Sequence, residues 1–156
     1  MCPNFFNNIC SEIIKKCHTN TTQHHCIIVQ SKNLKNTFIN GKLSYGINSN
    51  RSFYNISSTH SEMEAIYNLK NKQKLPKSID ILVIKLDRFG NLGESKPCYY
   101  CLQYMNYFQK TSKIIIKNIY YSTKNKGIIK VKFHELLNSD NQHISYGMKK
   151  KLGLLK

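Results

Sequence analysis

At 156 residues, this chain is long enough for one hydrophobic core and too short for two well-buried ones. No apolar run is long enough to cross a bilayer, and no basic start is followed by an apolar run, so neither a spanning helix nor a secretory signal is expected. Its Lys and Arg number 24 against 8 Asp and Glu, a net charge of 24 − 8 = +16, which invites an anionic partner.

Two origins of that charge stay open. Lys, Asn, Ile and Tyr are abundant together, as AT-rich coding sequence produces by drift, and Arg51 and Arg88 are the only arginines. Arg is the better fork for phosphates and guanine edges, so its scarcity weakens a nucleic-acid reading. Drift does not account for the shortage of Asp and Glu, which keeps a polyanionic partner in play.

In chain order, Phe5, Phe6, Ile9, Cys10, Ile13, Ile14 and Cys17 recur at helical spacing over residues 4–17, with Pro3 suited to a first turn. His24 to Val29 reads as a short apolar strand. Asn40-Gly41 is a hairpin-type turn signal, and Lys42 to Ile47 reads as the returning strand. A polar loop covers 48–58. Met63, Ile66 and Tyr67 mark one face of a helix over about 60 to 72. Ile79 to Leu86 is a buried strand, and Phe89 to Ser95 a turn containing Gly and Asn. Cys98, Cys101, Leu102, Met105 and Phe108 form the inward face of a helix that Pro97 introduces. Ile114 to Tyr121 and Ile128 to Phe133 are strands joined by the Lys124-Asn125-Lys126-Gly127 turn. A helical segment and a basic tail with Lys149, Lys150 and Lys151 follow, the tail spanning 141–156 of a single domain.

The connection between the last two strands is a few residues long. Parallel neighbours need a crossover of a dozen or more, so these two should be antiparallel. The whole order predicts an α/β fold in three α-β-α layers, with a mixed sheet of about five strands.

His60-Ser61-Glu62 and Pro97-Cys98-Tyr99-Tyr100-Cys101 carry the chemistry. A Cys-x-x-Cys pair presents two sulfurs to one metal, and a distant His completes three ligands. Three ligands leave one tetrahedral position open for a water. A Glu two residues after the His can move protons without ligating the metal. Cys98 and Cys101, three apart in the first turn, share a helix face, and a helix N-terminus favours thiolates.

This His-x-Glu and Pro-Cys-x-x-Cys pairing resembles the zinc-dependent cytidine and deoxycytidylate deaminase family, sharply over residues 46 to 101. The resemblance implies the cytidine deaminase-like fold, a Zn2+ held by His60, Cys98 and Cys101, and Glu62 as the catalytic proton carrier. It implies a hydrolase that converts a cytosine-type nucleoside or nucleotide to the uracil form with release of ammonia. Asn48, in Gly46-Ile47-Asn48, inherits contact with the substrate base or sugar. A Glu that binds ribose in free-nucleoside enzymes is replaced by Asn50, which favours a phosphorylated or polymeric substrate; Arg51 could meet that phosphate. An antiparallel last strand pair is that of the free-nucleoside branch. A homo-oligomer is also implied.

Other readings remain beside this one. Thr59-x-x-Glu62 is also a capping box. Cys98-x-x-Cys101 is also a redox motif. A structural zinc needs a fourth ligand, for which His24, His25 and Cys26 are candidates, although their strand is apolar. Glu64, one turn from His60, reads as solvated or capping, and His18, His134 and His143 have no partner pattern. Tyr99, Tyr100 and Tyr104 could stack on a base or fill an interface. Six cysteines with no disulfide-type spacing fit a reducing, intracellular and cytoplasmic setting. The alternative functions are a polynucleotide-editing deaminase and an inactive zinc module that binds nucleic acid. No membrane partner is expected.

Overall fold

The computed structural model describes residues 22–31, 42–48 and 60–154. The 4–17 helix, the Asn40-Gly41 turn, Asn50, Arg51 and Thr59 lie outside these residues.

Strands β1 (Gln23–Gln30), β2 (Lys42–Ile47), β3 (Ser78–Leu86), β4 (Leu92–Gly93), β5 (Ile115–Thr123) and β6 (Gly127–Lys132) form one mixed sheet. Its order is β2-β1-β3-β5-β6, with β4 paired to β3. Helices α1 (Ser61–Lys70), α2 (Tyr99–Ser112), α3 (Phe133–Leu137) and α4 (Tyr146–Lys151) complete the described chain. The protein is α/β, and β5 and β6 are antiparallel as their short connection requires. Among the described strands only β3 and β5 run parallel, and α2 is the crossover between them.

β3 lies between β1 and β5, so both of its edges are paired; its residues are buried on both faces, and its sequence is an almost unbroken apolar run. Ile79, Ile81 and Val83 join Cys26 and Ile28 on one face. Against them pack Ala65, Ile66 and Leu69 of α1, Leu102, Met105 and Phe108 of α2, and Phe133 and Leu136 of α3. Complete burial of a Leu, Met or Phe stabilises the fold by about 2 kcal/mol each. The opposite face carries Ile27, Val29, Leu82, Ile84 and Tyr120, also buried. The described helical layer belongs to the first face.

One backbone contact sets where α1 sits. A Cβ on Gly46 would lie 2.2 Å from the Ser61 carbonyl oxygen and 2.4 Å from the Ala65 nitrogen. Only a glycine lets β2 come so near the helix. Three side chains then tie the pair: the Ser44 hydroxyl donates to the Ala65 carbonyl, the Ile47 N–H to a Glu64 carboxylate oxygen at 2.6 Å, and the Asn68 amide to the Tyr45 carbonyl at 2.9 Å. Glu64 is therefore a strand anchor, in place of the solvated or capping role its sequence position suggested.

Gly46→Ala is expected to cost about 3 kcal/mol or more in urea unfolding, because backbone atoms cannot yield as side chains do. Wild-type stability of that variant would show that the close approach is not needed.

His25 supplies a pH test. It is 1 % exposed, its Nδ1 is 2.5 Å from the Tyr45 hydroxyl, and burial pulls its pKa from 6.5 to about 4. The fold therefore favours the neutral ring. Between pH 6.5 and 4 the unfolded chain binds the extra proton, so this contribution is complete above 6.5 and falls as pH drops toward 4. NMR titration should find the His25 ring neutral down to about pH 4; a midpoint near 6.5 contradicts its burial.

Candidate metal centre

The centre is built where two helices begin. His60 is the N-cap of α1 and Cys98 the N-cap of α2, each with extended backbone and no side-chain cap of its own. Both side chains are thereby turned away from capping and toward each other. Cys101 follows Cys98 by one turn on the same face of α2. His60 Nδ1 is 3.3 Å from Cys101 Sγ and 3.5 Å from Cys98 Sγ, and all three ligand atoms lie within 4.8 Å of one another. A tetrahedral ion about 2.3 Å from sulfur and 2.05 Å from nitrogen places N and S about 3.6 Å apart. The three side chains thus fit a metal ion as they stand. Among the described residues, no fourth His, Cys, Asp or Glu joins them.

Electrostatics favour a cation between them. A hydrogen bond from Cys101, and then one from His60, hold the Cys98 thiol down at about 4. The Cys101 thiol is pushed well up, because it donates to Cys98 and is buried. The hydrogen bond to Cys98 raises His60. Two helix N-termini add positive potential from both sides. Met63 and Met148 pack on the two cysteines and make the inner wall apolar.

Glu62 is 6 % exposed, and its Oε2 accepts from the Ser61 hydroxyl at 3.1 Å. Burial, and then the Cys98 charge, raise its pKa. With His60 as N-cap, Glu62 stands one position too early for the capping box read from Thr59. His60, Glu62, Cys98 and Asn48 all line one cavity of about 640 Å³. Asn48 closes the β1–β2 pair: its N–H donates to the His24 carbonyl at 3.2 Å, and its Oδ1 accepts the His24 N–H at 2.9 Å.

The neighbouring histidines separate by sheet face. Cys26 and His25 are core, and neither reaches the metal group. His24 lines the cavity, and burial and then Lys85 lower its pKa to about 4. Strand alternation sets His25 apart from His24 and Cys26; the latter two differ by position, Cys26 lying in the core and His24 at the cavity. Tyr99, Tyr100 and Tyr104 are not among the described lining residues, and Tyr100 and Tyr104 pack on the apolar side of the cysteines. The lining that sequence reading missed comes from His143, Ser145 and Tyr146, together with Lys85, Glu94, Ser95 and Lys96. The His143 carbonyl accepts the Tyr99 N–H at 2.6 Å, and Met148 is buried beside the cysteines. The stretch read as a basic tail thus packs against the centre. In the sequence, the apolar Ile144 and Met148 within this basic stretch are the hint.

No protein-family model matches the chain, and no curated protein matches it. Among solved structures it is similar to the dCMP deaminase of the cyanophage S-TIM5 in apo form, at 15 % identity and a TM-score of 0.47, over 81 % of this chain and 89 % of that one. It is likewise similar to that deaminase in complex with dCMP and dUMP, at 14 % identity and a TM-score of 0.48, over 78 % and 82 %.

Purified protein is expected to hold one metal ion per chain, measured by elemental analysis. Cys98→Ala or Cys101→Ala should lose it and lower the melting temperature. A metal-free protein as stable as the loaded one would remove the centre from consideration.

Proposed function

We propose that this chain is a zinc-dependent hydrolytic deaminase acting on a cytosine-type nucleoside or nucleotide. One observation carries the reading: His60, Cys98 and Cys101 form a three-ligand triangle, and the buried Glu62 carboxylate lines the same cavity. An N,S,S donor set suits zinc, and with three protein ligands the fourth position is left for chemistry. Zinc held there would bring a water toward neutral pKa and make it a nucleophile.

The residues divide the remaining work. Glu62 takes a proton from the attacking water, gives it to the ring nitrogen, and then assists the departing ammonia. The apolar wall of Met63 and Met148 keeps bulk water from the inner side. Asn48, its Oδ1 held by His24, still has two amide protons to offer a base carbonyl or sugar hydroxyl. A cavity of about 640 Å³ is of a size to hold a nucleotide. Lys85 and Lys96 give its wall positive charge, which suits a substrate bearing phosphate.

The whole chain is proposed to act as one domain, in the reducing cytoplasm where its thiols stay free, and as a homo-oligomer by the family resemblance. A polynucleotide substrate is the second reading. The +16 charge favours it, and so does Tyr146, 73 % exposed at the cavity.

Glu62→Gln tests the mechanism. The variant should keep its metal and stay within about 1 kcal/mol of wild-type stability, while ammonia release falls at least ~100-fold. Cytidine, deoxycytidine, their monophosphates and single-stranded RNA and DNA form the substrate panel. Retained activity in folded Glu62→Gln rejects the proton-carrier role. No ammonia from any substrate, with metal bound, supports the inactive binding module.

A further inference from the structure

We infer that two buried serines, Ser95 and Ser122, are positioning residues for the cysteine ligands. This rests on the metal reading above. At Lys85 and Leu86, β3 pairs on one side with β1 through His24 and Gln23. The same two residues pair with Gly93 and Leu92 of β4, so β4 must lie on the other side, that of β5. The parallel β3–β5 register ends at Val83 and Tyr121. The two parallel strands therefore part at their carboxyl ends, and β4 with the following residues is wedged into the gap. Gaps of this kind, outside the carboxyl ends of parallel strands, are where open α/β sheets hold ligands.

The wedge is held by two hydroxyls that replace missing ladder bonds. Ser122 is fully buried and Ser95 is 3 % exposed. The Ser122 hydroxyl accepts the Lys85 N–H at 3.0 Å and donates to the Gly93 carbonyl at 2.7 Å. It thus joins β5 to both β3 and β4. The Ser95 hydroxyl donates to the Val83 carbonyl at 2.7 Å and accepts the Ser122 N–H at 2.7 Å. The Ser95 N–H returns to the Ser122 carbonyl at 3.0 Å. The two hydroxyl oxygens are 2.8 Å apart.

From this clasp the chain reaches the first cysteine in two steps, Lys96 and Pro97. Proline fixes one of the few torsions in that span. The clasp thus sets where α2 begins, and with it the direction of Cys98 and of Cys101 one turn later. His60 comes from the other helix and does not move with the clasp. Loosening the clasp shifts the two sulfurs relative to the imidazole.

Cobalt(II), bound in place of the native ion, reports that geometry through its ligand-field and thiolate absorption. Ser122→Ala should weaken cobalt and zinc binding about 10- to 100-fold, the range for groups that orient metal ligands, and change the cobalt spectrum. Ser95→Ala retains its backbone pair with Ser122, so it is the milder variant should Ser122→Ala fail to fold. Ile79→Ala, at the far end of β3, is the destabilised control and should keep the wild-type spectrum and affinity. A folded Ser122→Ala or Ser95→Ala with wild-type affinity and spectrum overturns the positioning role. Equal loss in Ile79→Ala overturns it too, since the effect is then general destabilisation. Wild-type protein that binds no cobalt overturns the metal reading itself, and the inference with it.

Discussion

The approach of β2 to α1 at Gly46 is the constraint on which the rest of the molecule depends. A missing methyl group brings a helix backbone into contact with a strand backbone, with the Ser61 carbonyl at the point of contact. Ser61 lies between His60 and Glu62, so the depth at which the helix is seated is also the depth of the imidazole and the carboxylate. Ser44, Glu64 and Asn68 fix the helix along the strand. The crossover helix α2 packs on the same sheet face, and Met63 of α1 lies against its Cys98 and Cys101. The candidate centre is the meeting point of two helix starts, with His60 Nδ1 lying 3.3 to 3.5 Å from the cysteine sulfurs.

Much of this was legible in the sequence, for local reasons. The apolar residues of α2 recur at helical spacing, and Pro97 marks where the helix begins. The antiparallel β5–β6 pair follows from the length of its connection alone. Ligand types and spacing expose the metal group because few residue types can serve and two must lie one turn apart. What escaped was whatever depends on the sheet edge and on distant partners. The segment Phe89–Ser95 reads as a turn, yet two of its residues form β4 because β5 has left the edge of β3. His143, Ser145 and Tyr146 carry no motif, and their place in the cavity comes from a backbone bond between residues 99 and 143.

Charge shows the same division. The excess of lysine counts for the whole chain, but at the centre it is mainly the placement of a few cations that matters. Lys85 stands opposite His24 in the β1–β3 register and helps keep that imidazole neutral. Lys96 donates to the Asn141 carbonyl at 3.1 Å and so ties itself to the segment that leads to His143. Two lysines of one cavity thus act on groups that the net charge does not describe.

The bond from Tyr99 to His143 and the burial of Met148 bear on how the protein is made. During synthesis, at about 5–20 residues per second, His60, Cys98 and Cys101 leave the ribosome before the segment that covers them. For some seconds a nascent chain can present all three ligands with their apolar cover still absent. An ion arriving early would meet thiols without their apolar backing, whereas one arriving after α4 has docked would enter through the cavity that His60 and Cys98 line. A chain loaded early and a chain loaded late would therefore take up an ion by different routes.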